Sequence, residues 1–253
     1  MYYPQEESCQ IPPMAFLLER YLGRRQDGVF VEIGGFDGVH ASNTWGLAER
    51  GWRGLYVEPI PQFAELCRAH HRAHPAVDVL EMAVAAPGCD AVDLTVAGPL
   101  TTGSGDLAQA YRETAWSRDA LEGATSLTVP AVTADAVLDS WLPSAGGTLD
   151  VLVIDVEGME AAVFAGLSLD RWRPTMLVVE LMDNHPDFAH AHAQSAQLYA
   201  EILAQGYVVV YKTSLNTVFV ERSDWERVTG VGSSGLPEMR NGQIENRSAR
   251  FSE

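Results

Sequence analysis

The stretch VFVEIGGFDG at residues 29–38, followed by GLYVEP at residues 54–59, decides the fold of this chain. Each begins as a short apolar run typical of a buried strand, and the first leads into closely spaced glycines that permit a sharp turn. The second run ends at Glu58, about 20 residues after the turn. This layout is typical of a nucleotide-type cofactor site at the carboxyl ends of parallel strands, where Glu58 can accept hydrogen bonds from the two hydroxyls of a ribose.

The glycine spacing and the surrounding acids bear on the identity of that cofactor. A dinucleotide-binding turn reads G-x-G-x-x-G, whereas this turn reads E-x-G-G-x-x-G. Acidic residues at positions 32, 37 and 58 would repel a diphosphate, but they suit a ligand that carries an ammonium, a sulfonium and a free ribose diol. S-adenosylmethionine is such a ligand, and an NAD-binding oxidoreductase on a similar sheet is the alternative. The cofactor-binding residues predicted from the two stretches are Glu32, Gly34, Gly35, Asp37, Gly38, Glu58 and Pro59.

The composition narrows the class of protein. A chain of 253 residues with 47% apolar content is long enough for one α/β domain with a sizeable core. The net charge of −17 argues against nucleic acid or an anionic membrane as the main partner. The three cysteines lack close spacing, which indicates neither a disulfide framework nor a thiolate metal site. We therefore expect a cytoplasmic protein that acts on a small molecule; a homo-oligomer is compatible with the sequence.

Apolar strands and amphipathic helices alternate along the chain, and the last two predicted strands come in immediate succession. These strands, 207–211 and 217–221, are joined by a short turn and must pair antiparallel, because a parallel pair needs a crossover of a dozen or more residues. We predict a mostly parallel seven-stranded sheet, with helices on both faces and an antiparallel C-terminal hairpin. This Rossmann-like α/β arrangement is found in class I methyltransferases.

Five fragments carry a more specific resemblance: YYPQEES, FVEIGGFDGVHASNT, GWRGLYVEPIPQF, VLVIDVEGMEAAVFAGL and GYVVVYKTSLNTVFV. Together they resemble the FkbM family of S-adenosylmethionine-dependent methyltransferases, in the family's order, from Tyr3 to about Glu221. The resemblance implies O-methylation of a hydroxyl, often on a sugar or a natural-product scaffold, with S-adenosylhomocysteine as the second product. Its S-N-T motif implies that Ser42 and Asn43 bind the cofactor, and in such folds Met82 and Ala83 would face the adenine.

An alcohol must lose its proton on methylation, so a general base assists the reaction. The predicted catalytic residues follow the cofactor turn, the strand ending at residue 154 and the strand after it: His40, Asp155, Glu180 and His185. Asp155 and Glu157 are also predicted to bind the cofactor, since a carboxylate that ends a buried strand at this edge is commonly functional. His40 can instead form hydrogen bonds with backbone groups of the turn, and Glu157 can instead cap the following helix.

A metal-dependent mechanism is the alternative to a metal-free one. A related class of sugar methyltransferases holds Mg²⁺ with carboxylates at the ends of these strands, and Asp155, Glu180 and Asp183 could imitate that trio. The FkbM resemblance implies no such ion, so no metal ligand is predicted.

The domain organisation follows from the same elements. We expect a single methyltransferase domain over residues 1–228, in which residues 1–22 form an N-terminal lid and helix and residues 97–126 form a substrate-side insertion. Residues 229–253 are polar and without periodicity, which indicates a mobile tail or a lid ordered by ligand. Nothing in the sequence identifies the acceptor.

Overall fold

The structure is a computed structural model that describes residues 1–231 and the backbone of residues 238–240 and 243–245. A seven-stranded sheet forms its centre, and its strands are β1 (Val29–Ile33), β2 (Arg53–Val57), β3 (Val77–Leu80), β7 (Val151–Ile154), β8 (Met176–Glu180), β9 (Tyr207–Lys212) and β10 (Asn216–Glu221). Their spatial order is β3-β2-β1-β7-β8-β10-β9, and β10 runs antiparallel to both of its neighbours. The predicted sheet with its antiparallel hairpin is thus confirmed.

The sequence of β1 explains its place in the middle of the sheet. All five of its residues are buried, and it pairs in parallel with β2 on one side and β7 on the other. Val31 and Ile33 belong to the hydrophobic cluster on one face of the sheet, while Phe30 belongs to the cluster on the other face. A strand that is apolar on both faces fits a sheet covered by helices on both sides.

Ten helices accompany the strands in the described part of the chain: α1 (Met14–Leu22), α2 (Trp45–Ala48), α3 (Pro61–His70), α4 (Gly105–Glu113), α5 (Arg118–Glu122), α6 (Ala134–Trp141), α7 (Glu160–Phe164), α8 (Leu169–Trp172), α9 (His192–Ala204) and α10 (Arg222–Thr229). Residues of α6, α8 and α9 pack on the face of the sheet that carries Ile33, and residues of α1, α2 and α10 pack on the face that carries Phe30. Among the described residues, no helix combines the length and the apolar character needed to cross a lipid bilayer.

A small second sheet extends the domain beyond the carboxyl end of β3. It contains β4 (Ala83–Val84), β5 (Ala91–Val96) and β6 (Thr125–Val132), with β6 in the middle. Helices α4 and α5 lie between β5 and β6, within the predicted insertion at 97–126. Their buried residues Leu107, Tyr111 and Leu121 form a cluster with Met182 and Phe188, which follow β8. The insertion therefore packs over the carboxyl end of β8.

The two ends of the chain differ in how far the structure describes them. Tyr3 is fully buried, its hydroxyl donates to the carbonyl of Gly23 at 2.9 Å, and its ring meets that of Trp52 edge-on. The N-terminal segment is thus packed onto the domain ahead of α1. The predicted polar tail at 229–253 lies mostly outside the described residues, which include only the antiparallel strands β11 (Glu238–Arg240) and β12 (Gln243–Glu245) beyond residue 231.

Candidate functional site

The glycine turn after β1 brings the ends of three strands together. Gly34 adopts a φ of +90°, and the amides of Gly34 and Gly35 both donate to the carbonyl of Val57 at the end of β2. The next amide, of Phe36, donates to Oε2 of Glu58 at 2.9 Å, and the amide of Ile60 donates to Oε1 at 2.8 Å. The Glu58 carboxylate is therefore held in one orientation from both sides. Burial raises the pKa of Glu58 to about 7 against the opposing effect of these two bonds.

A cavity of about 340 Å³ opens at this edge of the sheet, over the carboxyl ends of β1, β2 and β7. Eleven of the predicted site residues line it: Glu32, Gly34, Gly35, His40, Ser42, Glu58, Pro59, Met82, Ala83, Asp155 and Glu157. Five predicted residues do not line it: Asp37, Gly38, Asn43, Glu180 and His185. The sequence thus located the cavity, while some of the predicted residues occupy positions behind its wall.

Glu32 organises the S-N-T loop from within the core. Its carboxylate is only 3% exposed and accepts bonds from the Ser42 hydroxyl at 2.9 Å, the Asn43 amide at 3.2 Å and the Thr44 hydroxyl. Burial raises the pKa of Glu32 to about 7, although these donors oppose the shift. The side chain of Asn43 lies beside the Cys9 thiol, with 3.7 Å between Oδ1 and Sγ, and so connects the loop to the N-terminal segment.

Asp37 and His40 form a hydrogen-bonded pair at the rim of the cavity. Oδ2 of Asp37 lies 2.5 Å from Nδ1 of His40, and Oδ1 accepts the amides of Val39 and His40. The imidazole is 65% exposed and the carboxylate only 7%. The hydrogen bond and the charge of Asp37 raise the pKa of His40. Burial of Asp37 would raise its own pKa, but the bonds from His40 and the two amides outweigh that effect and lower it.

Three carboxylates converge where β7 and β8 end. One oxygen from each of Asp155, Glu157 and Glu180 lies within 4.8 Å of the other two. Glu157 has a φ of +52° and accepts a hydrogen bond from the buried hydroxyl of Tyr111, a residue of the insertion. Burial raises the pKa of Asp155 to about 6 and raises those of Glu157 and Glu180 well above their usual value. Glu160 lies next to the cluster and uses Oε1 to accept the amides of residues 156 and 158.

Asp183 and His185 lie elsewhere. Asp183 pairs with Lys212, with 2.6 Å between Oδ1 and Nζ, so the metal-binding trio considered from the sequence does not assemble. Glu157 occupies the third position instead. The ring of His185 is stacked on Phe188 at 4.3 Å, and its Nδ1 accepts the amide of Asp187. Desolvation by burial lowers the pKa of His185.

Sequence reasoning missed several cavity residues. Ser8 and Gln10 reach the cavity from the N-terminal segment, and Oε1 of Gln10 accepts a hydrogen bond from the side-chain Nδ2 of Asn216, at the start of β10, at 2.8 Å. Apolar side chains form much of the wall, and they resemble ordinary core residues in the sequence: Phe36, Phe63, Val92, Leu94, Leu100 and Met159. The family-like fragment YYPQEES ends at Ser8, so it was a signal for Ser8 but not for Gln10.

Comparison of the chain with known proteins identifies its family. Among curated proteins, none matches the chain significantly. Similar solved structures include cofactor-bound Rv0187 from MTB, at 15% identity over 87% of this chain and 84% of that one, with a TM-score of 0.48. The O-methyltransferase TomG of tomaymycin synthesis from Streptomyces achromogenes, solved with S-adenosylmethionine, is 16% identical over 85% and 82% of the two chains, with a TM-score of 0.46. The pattern of the methyltransferase FkbM domain matches residues 32–209. The chain therefore belongs to the FkbM methyltransferase family.

Proposed function

We propose that this methyltransferase uses S-adenosylmethionine to methylate a hydroxyl of a small molecule, a sugar or a natural-product scaffold. The observation that carries the proposal is the charge of the cavity lining. Its ionisable side chains, among the described residues, are four carboxylates and one imidazole: Glu32, Glu58, Asp155, Glu157 and His40. Such a lining favours a cation that carries hydroxyls and disfavours a diphosphate, which also argues against NAD.

The residues present fit this cofactor. When bound, S-adenosylmethionine supplies a methyl group activated by a positively charged sulfonium. Each Glu58 oxygen already accepts one backbone amide, and a carboxylate oxygen has a second lone pair for a ribose hydroxyl. Met82 and Ala83 line the cavity beyond β3, where an apolar surface suits an adenine. Asp155 and Glu32 contribute negative charge that balances a cationic ligand.

The Asp37–His40 pair supports the proton transfer. Asp37 orients the imidazole through Nδ1, and among the described residues Nε2 has no hydrogen-bond partner. A neutral imidazole held in this way can accept the proton of an acceptor hydroxyl through Nε2. Asp155 lines the cavity and is the second candidate for a catalytic role, while Glu180 lies behind it. The packing of His185 on Phe188 does not support a role in proton transfer.

The acceptor side is built by the segments that surround the cavity mouth. Ser8 and Gln10 come from the N-terminal segment, and the turn at 98–101 comes from the start of the insertion. We infer that these two segments belong to one catalytic domain over residues 1–228 and select the acceptor. Their polar groups suit a hydroxylated small molecule, and the net charge of −17 disfavours nucleic acid or an anionic membrane.

The test is a methylation assay with a panel of sugars, glycosides and polyketides. Formation of S-adenosylhomocysteine is measured, and the product is analysed by NMR for an O-methyl group. Methylation on nitrogen or carbon would contradict the hydroxyl assignment. Calorimetry with S-adenosylmethionine and with NAD, on the same protein, separates the proposal from an oxidoreductase, because only the proposed cofactor should bind.

A further inference from the structure

We propose that Asp155, Glu157, Glu180 and Asn216 form a binding site for one divalent cation that prefers oxygen ligands, such as Mg²⁺ or Mn²⁺. The site lies at the carboxyl ends of β7 and β8, beside the proposed cofactor cavity. Cation binding itself does not depend on the proposed methyl transfer. A role for the cation in orienting the acceptor hydroxyl rests on that function.

The distances between the three carboxylates suit a shared cation. Their nearest oxygens lie within 4.8 Å of one another. Two oxygens that both contact Mg²⁺ at about 2.1 Å, or Ca²⁺ at about 2.3–2.6 Å, lie at most about 4–5 Å apart. Three carboxylates at this separation repel one another when ionised. A divalent cation between them attracts all three and offsets that repulsion.

Two buried oxygens without partners provide an independent indication. Glu180 is 4% exposed and its Oε2 has no hydrogen-bond partner; Asn216 is 2% exposed and its Oδ1 has none either. These two residues are directly opposite one another in the antiparallel pair of β8 and β10, so their side chains leave the sheet on the same face. Buried acceptors are ordinarily satisfied, and a cation satisfies several of them at once.

Among the described residues, no basic side chain pairs with the three carboxylates. Nζ of Lys212 lies 2.6 Å from Oδ1 of Asp183 and donates to the Thr217 hydroxyl at 3.2 Å. No arginine or lysine forms an ion pair with the three carboxylates in the portion of the chain that is described. The hydroxyl of Tyr111, a neutral donor, contacts Glu157. No basic side chain of the described residues therefore neutralises the cluster when its carboxyls ionise.

The arrangement also provides an entrance. Asp155 and Glu157 line the cavity, whereas Glu180 lies deeper, so an ion can enter from the cavity and reach all three. Because Asp155 and Glu157 line the cavity, a cation held by the cluster would lower the pKa of an acceptor hydroxyl that contacts it there. Tyr111 connects this site to the insertion through Glu157.

The experiment uses Mn²⁺ as the probe on the full chain after treatment with EDTA, without S-adenosylmethionine. Free Mn²⁺ is measured by electron paramagnetic resonance during titration, and Mg²⁺ is then added as a competitor. We expect one bound Mn²⁺ per chain, displaced by Mg²⁺. Absence of Mn²⁺ binding at millimolar concentration would overturn the proposal and leave protons as the groups that neutralise the cluster.

Three variants sharpen the test. Glu180→Gln keeps the shape and should weaken Mn²⁺ binding at least tenfold, whereas Asn216→Asp adds a carboxylate and should strengthen it. The gain in Asn216→Asp separates loss of a ligand from damage to the fold. The control Asp183→Asn removes the carboxylate that pairs with Lys212 and should leave the affinity within twofold of the wild type. Equal affinity in Glu180→Gln and wild type would overturn the proposal. Calorimetry with S-adenosylmethionine on the same preparations tests the proposed function separately.

Discussion

Gly34 and Asp155 meet backbone to backbone where β1 and β7 end. A Cβ on Gly34 would lie 1.6 Å from the carbonyl oxygen of Asp155, and Gly34 also has a φ of +90°. In return, the amide of Asp155 donates to the carbonyl of Ile33 at 3.0 Å. This close approach places the glycine turn and the carboxylate of Asp155 on the same cavity.

We expect Gly34→Ala to lower the free energy of unfolding by about 2–5 kcal/mol, from the positive φ together with the clash. Gly51→Ala is the matched control, because Gly51 has a φ of +79° with open space around it. The free energy of unfolding of this control should fall by only about 1–2 kcal/mol. Urea unfolding followed by circular dichroism measures both, and equal losses would show that the contact with Asp155 is unimportant.

Removal of the Glu58 carboxylate should weaken S-adenosylmethionine binding. We expect Glu58→Ala to raise the Kd by roughly 10–100-fold, because it removes hydrogen bonds between the ribose and a charged acceptor. Glu81→Ala is the control, since Glu81 follows β3 at the same edge of the sheet and its exposed carboxylate lies 3.3 Å from Arg68. Isothermal calorimetry gives both constants. An unchanged Kd in Glu58→Ala would refute the ribose assignment.

Cofactor binding should depend on pH in a direction set by the buried acids. Burial raises the pKa of Glu32 and Glu58 to about 7 and that of Asp155 to about 6. Below these values the acids are protonated, and a cationic ligand favours their ionised forms. The affinity for S-adenosylmethionine should therefore rise between pH 5 and pH 8, with release of protons on binding. S-adenosylhomocysteine lacks the sulfonium charge and should show a shallower dependence. Calorimetry in buffers of different ionisation enthalpy measures the protons, and identical pH profiles would contradict the prediction.

The catalytic role of His40 can be separated from cofactor binding. His40→Ala should lower kcat by about 10²–10⁴-fold and leave the Kd for S-adenosylmethionine nearly unchanged. The exposed His190→Ala is the control. Asp37→Asn should shift the acidic limb of the kcat profile to lower pH, because Asp37 raises the pKa of His40. An active His40→Ala variant would assign the base to another group.

The carboxylate cluster should also affect stability. In the absence of cations, a carboxyl whose pKa is raised on folding contributes stability below its unfolded pKa, and that contribution is lost as the pH rises through its folded pKa. For Asp155 that loss begins above the ordinary pKa of an aspartate and is complete once the pH has risen past about 6. His71 and His185, whose pKa values are lowered on folding, act in the opposite direction. Comparison of the wild type with Glu180→Gln at the same pH removes the contributions of these histidines, because both proteins contain them.

In EDTA, we expect Glu180→Gln to melt above the wild type by an amount that grows between pH 5 and pH 8. Each kcal/mol gained at the melting temperature corresponds to roughly 2–4 °C for a domain of this size. Differential scanning calorimetry measures the difference. A difference that shrinks with rising pH would show that Glu180 is not repelled by its neighbours.

Local patterns in the sequence were sufficient to predict most of the fold. The buried run at 29–33 is strand β1 in the structure, and the hairpin of β9 and β10 is antiparallel as its short turn required. The Ser42 hydroxyl accepts the amide of Trp45 at 3.1 Å, although Thr44 is the residue that directly precedes α2. Helices α4 and α5 were not predicted, because their segment was interpreted only as an insertion.

The individual roles at the site were less predictable. The sequence placed Asp155, Glu180 and Asp183 in one possible trio, yet Asp183 pairs with Lys212 and Glu157 takes its place. Which acid joins the cluster depends on the ion pair between Asp183 and Lys212, which are 29 positions apart, and on the direction of the loop after β8. Neither is encoded by a local motif.

The sequence by itself determined the strands, the glycine turn and the edge of the sheet where the cavity forms, because periodicity and backbone conformation are properties of neighbouring residues. Only the tertiary structure decided which acids face the cavity and which ones lie behind it. It also brought Gln10 to Asn216, Tyr111 to Glu157 and Glu180 opposite Asn216. Those contacts join segments far apart in the chain, and their formation depends on the packing of the whole domain rather than on any one stretch of sequence.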